Sequence, residues 1–369
     1  MKGKEKQRIV VKIGASTLTD NRCCIDHAFM ERFTEDVASV HRQGKDVVLV
    51  TSGAVRTGIE RMGLRDNLNV QQKQAAAAVG QGLLVQEYTM LFGRHNIIIA
   101  QVLITRDIVH FRNKYLNARN TLLTLLQYRI IPVVNENDTV AYEGIMFGGN
   151  DPLSAVTAVI VDADLLVVLT DVDGLYDTNP KKTKDAKIIP VVEQITDEIQ
   201  GFAQGPIAGG GLGGMTTKVA AAKTATEAGI KTVIANGREK NVVQRIISGE
   251  ALGTIFLPQE STLTSRKKWI ACGPTPEGKI IVNEGAREMI LHSGKSLLPS
   301  GIVRVEGEFD NGACVEIADE SDKTFARGLT NYSAVEIDKI RGKHTREIKK
   351  VLGYNLGSEV IHRDNLTLQ

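Results

Sequence analysis

Between Arg8 and about Pro258, six apolar, β-branched-rich runs (IVVKIG, VVLVTSG, IIIAQVLIT, IIPVVNEN, LLVVLTDVDG and KTVIANG) alternate with amphipathic stretches. A strand that is apolar along its whole length must be covered on both faces, so this alternation predicts an α/β fold: a mainly parallel sheet sandwiched by helices. Sheets of this kind gather ligands at the carboxyl ends of their strands. Gly14, Ser52, Asn135 and Asp171 all fall at such ends and are expected on one rim. After Pro258 the pattern changes. A polar link, QESTLTSRKKW, leads to short strand-like pieces (GKIIVNEG, GIVRVEG, GACVEIAD, FARGLTNYS) and one helix, AREMILHSG. This predicts a smaller α+β domain with a mostly β core. A chain of 369 residues exceeds what a single core usually serves. The expected division is 1–258, a linker at 259–265, and a second domain at 266–369.

Composition excludes some classes of function. A net charge of +2, with acidic and basic residues interspersed, gives no field that calls for nucleic acid. No apolar run reaches membrane-spanning length, and Lys12 interrupts the apolar stretch of MKGKEKQRIVVKIG, so no signal-peptide core is expected there. Four cysteines, Cys23 and Cys24 adjacent, show no zinc spacing and read as reduced thiols. The expected compartment is the cytoplasm.

The chemistry lies in the loops. From Gly209 to Gly229 the chain reads GGGLGGMTTKVAAAKTATEAG, a glycine loop ending in Lys218 on the first turn of an Ala-rich helix. Glycines let backbone N–H groups approach an anion, the helix N-terminus adds partial positive charge, and the lysine adds a full one. Lys12, near the end of the first strand and just before Gly14, is costly in a buried run unless it has work to do. Two lysines beside two glycine turns predict a phosphoryl group held from both sides.

Four polar segments accompany them: Thr51-Ser52-Gly53-Ala54, Asn135-Glu136-Asn137-Asp138, Gly148-Gly149-Asn150-Asp151, and Thr170-Asp171 with Asp173-Gly174-Leu175-Tyr176. Each has a plain reading as a helix cap or turn: Ser52 as a cap, Asn150 or Asp151 as a cap before Pro152, the others as turns. Three look-alikes fail. Gly294-Lys295-Ser296 lacks the first glycine of a P-loop, since Met289 stands there. His362-Arg363-Asp364 sits too near Gln369 for a protein-kinase catalytic loop. Gly209, Gly211 and Gly214 match GxGxxG but follow GFAQGPIA, which reads as a loop rather than a first strand.

Taken in order and spacing, VKIGAS, VTSGAV, NENDTV, GGNDPLSA, LTDVDGLYDTNP and GGMTTKVAAA resemble the amino acid kinase superfamily. RKKWI, GKIIVNEGA, SLLPSGI and VIHRD resemble a C-terminal PUA domain. The combination resembles the branch that phosphorylates the side-chain carboxylate of L-glutamate with ATP, opening proline synthesis. The resemblance implies catalytic roles for Lys12, Lys218 and Asp151, the last orienting both ammonium groups. It implies an acceptor site of Ser52, Asp138 and Asn150, with Asp138 taking the α-ammonium. ATP is expected on Lys12, Gly14, Thr170, Asp171, Leu212, Gly213, Gly214, Met215, Thr216, Thr217 and Lys218. Backbone N–H groups of Gly14, Gly53 and Gly214 would complete the cradle.

Magnesium is expected to ride on phosphate oxygens, without a set of protein ligands. A carboxylate acceptor is already ionised near pH 7, so no general base is needed. Two departures from the family pattern are Leu212, where threonine is common, and Gly149, where a polar residue is common. The resemblance also implies a homo-oligomer, proline as feedback inhibitor, and glutamate-5-semialdehyde dehydrogenase as a functional partner. Residue chemistry alone leaves open another acceptor (acetylglutamate, aspartate, carbamate or UMP). An RNA-binding role for the tail, through Arg266-Lys267-Lys268 and Arg341-Gly342-Lys343-His344, is the less favoured reading.

Overall fold

The computed structural model describes residues 6–19, 25–64, 68–105, 108, 112–141, 149–178, 183, 185–203, 214–259 and 276–368. The chain divides into two compact units, Met1–Arg106 with Asn117–Glu260, and Asp107–Leu116 with Ser261–Gln369. The expected linker lies outside the described residues from 260 onward.

The chain runs β1 (Arg8–Ile13), α1 (Ala15–Leu18), α2 (His27–Arg42), β2 (Asp46–Val50), α3 (Ala54–Met62), α4 (Val70–Gly93), β3 (Ile99–Ile104), α5 (Arg112–Gln127), β4 (Ile131–Glu136), α6 (Asp151–Ile160), β5 (Leu165–Thr170), β6 (Val191–Val192), α7 (Asp197–Ala203), α8 (Met215–Glu227), β7 (Lys231–Asn236), α9 (Val242–Ile247) and β8 (Thr254–Phe256). The sheet order is β3-β4-β2-β1-β5-β7-β8-β6. The six long strands are parallel, as expected, and are the six predicted runs. β8 turns back antiparallel on β7 and carries β6 beside it. These two short strands were not expected, because two and three residues carry too little periodicity to read. Nor is GFAQGPIA wholly a loop: its first three residues close α7.

The four central strands β4, β2, β1 and β5 are buried throughout, apart from Arg8. Ile9, Val11 and Ile13 join a core with α2, α4 and α9. Alternation sends Val10 and Lys12 to the opposite face, where α6 packs on β1 and β5 and α8 packs on β7 and α6. Register levels Lys12 with Val50 on one side and Val168 on the other, and Val50 with Val134. The loops that follow these residues therefore open on one edge.

Helices α3 and α4 cross with their backbones touching. A Cβ at Gly58 would stand 1.7 Å from the Ala76 carbonyl oxygen, and one at Gly80 would stand 1.9 Å from that of Ala54. Glycine is the only residue that allows this approach.

The second unit contains β9 (Gly278–Val282), α10 (Glu284–Ser293), β10 (Ile302–Glu306), β11 (Cys314–Ala318), β12 (Thr324–Leu329), α11 (Ala334–Ile340), α12 (Ile348–Leu352) and β13 (Leu366–Leu368). Its sheet order is β10-β9-β11-β12-β13, antiparallel except between β9 and β11. The mostly β core is as expected, but the single predicted helix has two short companions, α11 and α12, too brief to show a clear 3.6-residue repeat. Gly294 ends α10 in the left-handed region at φ 56°, so Gly-Lys-Ser there is a helix stop. His362-Arg363-Asp364 leads into a single 3₁₀ turn before β13, tied down by the Arg363 N–H donating to Ser296 Oγ at 2.9 Å.

Candidate active site

Asp151 opens α6 and is fully buried. Its Oδ1 pairs with Lys12 Nζ, at the end of β1. Its Oδ2 pairs with Lys218 Nζ at 3.3 Å and accepts a 2.7 Å hydrogen bond from Thr217 Oγ1, both in the first turn of α8. Lys12 is 3% exposed and Lys218 7%. One carboxylate thus serves two ammonium groups in a low-dielectric setting. Burial pushes the Asp151 carboxyl up, but Lys12, Lys218 and the two hydrogen bonds outweigh it and hold the group below its ordinary value. For Lys12 the balance tips the other way: burial, with repulsion from Lys218, exceeds what Asp151 returns and pulls the ammonium below its ordinary range. Two lysine side chains converge on this one buried carboxylate, a setting that suits an incoming anion.

Beside this cluster lies a chain of amides. Asn150 stands at the N-cap position of α6, as the sequence predicts, yet its side chain makes no capping bond. Its Nδ2 instead donates to the Thr51 carbonyl and, at 2.6 Å, to Asn135 Oδ1. Asn135 Oδ1 also accepts from the Glu136 N–H at 2.9 Å, and Asn135 Nδ2 donates to Gln81 Oε1 of α4 at 2.6 Å. Two turns further along α4, the fully buried Tyr88 shares a 2.9 Å hydroxyl contact with Thr51 Oγ1. Ser52 does not cap α3. Gly53 holds that position at φ 113°, a conformation that favours glycine, and leaves the half-buried Ser52 free of a capping bond. Gly149, at φ 54°, likewise accounts for glycine at that place in the motif.

Asp138 lines a cavity of about 190 Å³ together with Gln81, Leu103, Glu136, Asn137 and Thr139. On the other side of the cluster, at the ends of β5 and β7, Thr170 Oγ1 donates to Asp171 Oδ1 at 3.2 Å. Asn236 Nδ2 donates to Asp173 Oδ1 at 2.9 Å, and Tyr176 OH donates to its Oδ2 at 3.1 Å. Asp171 is exposed.

The structure therefore brings Lys12, Asp151, Thr217 and Lys218 into direct contact and sets Asn150 next to them. Asp138 belongs to the adjoining cavity, and Thr170 and Asp171 to the rim beyond. Gly14 precedes α1 with extended backbone at φ −83°, so its conformation does not demand glycine, and a Cβ there would stand 3.5 Å from Lys12 Nζ, in ordinary contact with the ammonium. Gly214, Met215 and Thr216 lead into α8, with Thr216 Oγ1 donating to the Ala203 carbonyl at 2.8 Å. Leu212 and Gly213 lie outside the described residues. Among the described residues no three His, Cys, Asp or Glu side chains gather as a metal site. Gln81, Tyr88 and Asn236 were not anticipated. The available signal was faint: Gln81 is the lone polar residue between AAAAVG and GLLV in α4.

Of the basic tail residues, Arg266, Lys267 and Lys268 lie outside the described residues, and Arg341 is engaged by Asp338 and the Val303 carbonyl. No helix among the described residues is long and apolar enough to cross a membrane.

Comparison with known proteins agrees with this geometry. Residues 7–236 match the amino acid kinase family model and residues 278–352 the PUA domain model. Glutamate 5-kinase of Caldanaerobacter subterraneus subsp. tengcongensis is 48% identical over 98% of this chain and 97% of its own. The glutamate 5-kinases of Thermoanaerobacter sp. strain X514 and Pelobacter propionicus are 46% and 45% identical, each again over 98% of this chain and 97% of its own. Two domain matches in this order, with identity sustained across nearly the whole chain, establish that the chain belongs to the glutamate 5-kinase family.

Proposed function

We propose that this chain transfers the γ-phosphoryl group of ATP to the side-chain carboxylate of L-glutamate, giving L-glutamyl 5-phosphate, the opening step of proline synthesis. The observation that carries the reading is the buried Lys12–Asp151–Lys218 cluster, in which two lysines meet on one carboxylate. Its chemistry suits the meeting of two anions, a carboxylate and a triphosphate. With an ionised acceptor, the residues have to supply position and charge, and no proton needs to be taken away. Lys12 and Lys218 would flank the transferring group and hold its oxygens as negative charge spreads over them. Asp151 keeps the two ammonium groups apart and aimed.

Ser52, Asn150 and Asp138 would hold the acceptor, with Asp138 on its α-ammonium. Thr170, Asp171 and the loop from Leu212 through Gly213, Gly214, Met215, Thr216 and Thr217 to Lys218 would hold the nucleotide. Asp151 is already shared between two lysines, which suits a magnesium ion that arrives on the nucleotide's phosphates and is held by their oxygens and by water. When bound, that ion would add charge neutralisation at the phosphates.

The same reading makes proline an inhibitor that competes for the acceptor pocket, the active form a homo-oligomer, the compartment the cytoplasm, and glutamate-5-semialdehyde dehydrogenase the consumer of the acyl phosphate. A coupled ADP-release assay offering glutamate, N-acetylglutamate, aspartate, carbamate and UMP in parallel tests it. Glutamate is expected to be preferred by at least a hundredfold in kcat/KM, with proline raising its KM and leaving that of ATP unchanged. Comparable turnover of any other acceptor would replace the reading.

A further inference from the structure

The orientation of three consecutive amides is fixed by one backbone donor. Because the Glu136 N–H can only donate, the atom of Asn135 that faces it is the acceptor Oδ1. Asn135 Nδ2 is then a donor, so the atom of Gln81 that meets it at 2.6 Å is the acceptor Oε1. This leaves the two N–H groups of Gln81 Nε2. That nitrogen is buried and has no hydrogen-bond partner among the described residues. A buried donor without a partner is destabilising, so its retention calls for an acceptor that arrives with a ligand.

The Gln81 side chain lines the cavity of about 190 Å³ that Asp138 also lines. The lining of this space thus includes an aspartate and a glutamine whose buried amide nitrogen has no hydrogen-bond partner among the described residues. Together they match an ammonium and a carboxylate borne on the same carbon, the common end of an α-amino acid. We infer that Gln81 is a specificity-determining residue of the acceptor site, donating from Nε2 to the acceptor's α-carboxylate while Asp138 takes its α-ammonium. This rests on the proposed glutamate kinase reading and extends it. The side-chain carboxylate faces the lysine cluster, and recognition of the α-carboxylate falls to α4.

Gln81→Glu and Gln81→Leu separate this role from mere support of Asn135. The glutamate variant keeps an oxygen to accept from Asn135 Nδ2 but sets an anion against the α-carboxylate; the leucine variant removes both functions. The expected result is a KM for glutamate raised at least tenfold in Gln81→Leu and further in Gln81→Glu. KM for ATP should stay within twofold, and the melting temperature of Gln81→Glu should stay near that of the parent. Near-parental KM for glutamate in Gln81→Glu would overturn the inference, since accepting from Asn135 would then be the whole role. So would a parallel rise in both KM values. If Gln81→Leu fails to fold, Gln81→Glu alone decides. A parent enzyme inactive on glutamate would instead refute the acceptor assignment, which is a distinguishable result.

Discussion

Asp151 is the residue on which the site turns. Its carboxylate pairs with two buried ammonium groups, and Asp151→Asn replaces that anion with a neutral amide. Removing one partner of a buried ion pair typically costs about 3–5 kcal/mol, and a loss of that order is expected at pH 7 by urea denaturation. The pH dependence follows from the direction of the shift. Asp151 is held below its ordinary value of 3.8 in the folded chain. Its contribution is therefore fully present above 3.8 and is lost as the pH falls through the lower, folded value. The stability gap between the parent and Asp151→Asn should be constant from pH 7 to about 5 and narrow below 4. A gap that instead widened in acid would mean that the carboxyl is protonated in the folded protein. At this scale Lys12 was legible in the sequence, because a lysine inside a β-branched run has to be explained. Its partner was suggested only by family resemblance, since the two residues lie far apart in the chain and meet only once β1 and α6 pack.

At the scale of elements, α4 does more than cover the sheet. Gly80 seats against the Ala54 carbonyl at the start of α3, directly behind Ser52 and Gly53, while Gln81 and Tyr88 on the same helix reach Asn135 and Thr51. Gly80→Ala would force a methyl to within 1.9 Å of a backbone oxygen that has no freedom to move aside. A cost of about 1–3 kcal/mol is expected, together with a rise in KM for glutamate greater than that for ATP, because the displaced helix carries Gln81, proposed above to hold the acceptor. Gly82→Ala is the control: a Cβ there meets nothing within 4 Å, so it should be neutral or stabilise by up to about 1 kcal/mol. Thermal melts and steady-state kinetics of both variants check this, and equal behaviour of the two would remove the close crossing as the cause. Nothing in AAAAVGQG distinguishes Gly80 from Gly82, since each is simply a glycine within a helical run; the difference exists only in what packs against them.

For the whole molecule, each unit has its own core. One core draws on residues from Ile9 to Ile246, the other on residues from Ile280 to Leu366, and the two share no member. Every residue proposed to hold substrate or nucleotide precedes Gln259, whose N–H bonds back to α8, donating to the Thr226 carbonyl at 2.9 Å. A chain ending at Gln259 should accordingly unfold cooperatively and retain glutamate kinase activity within about tenfold of the full chain, in line with independently folding domains. A soluble, cooperatively unfolding truncation without activity would show that residues beyond 259 help to build the site.

The sequence by itself determined the six parallel strands, the rim on which the motifs fall, the change of architecture after Pro258 and the two lysines. These features rest on burial periodicity and on residue types whose burial is costly, and both are local. Tertiary structure alone decided that Asn150 bridges Asn135 and Thr51 with its side chain instead of capping α6 with it, that β6 and β8 close the sheet edge, and that Gln81 meets Asn135. A hydrogen bond between residues 54 or 99 positions apart leaves no periodic trace. A polar side chain can cap its own helix or cross to another element with the same local sequence around it, and only the packing of β2, β4, α4 and α6 selects between them.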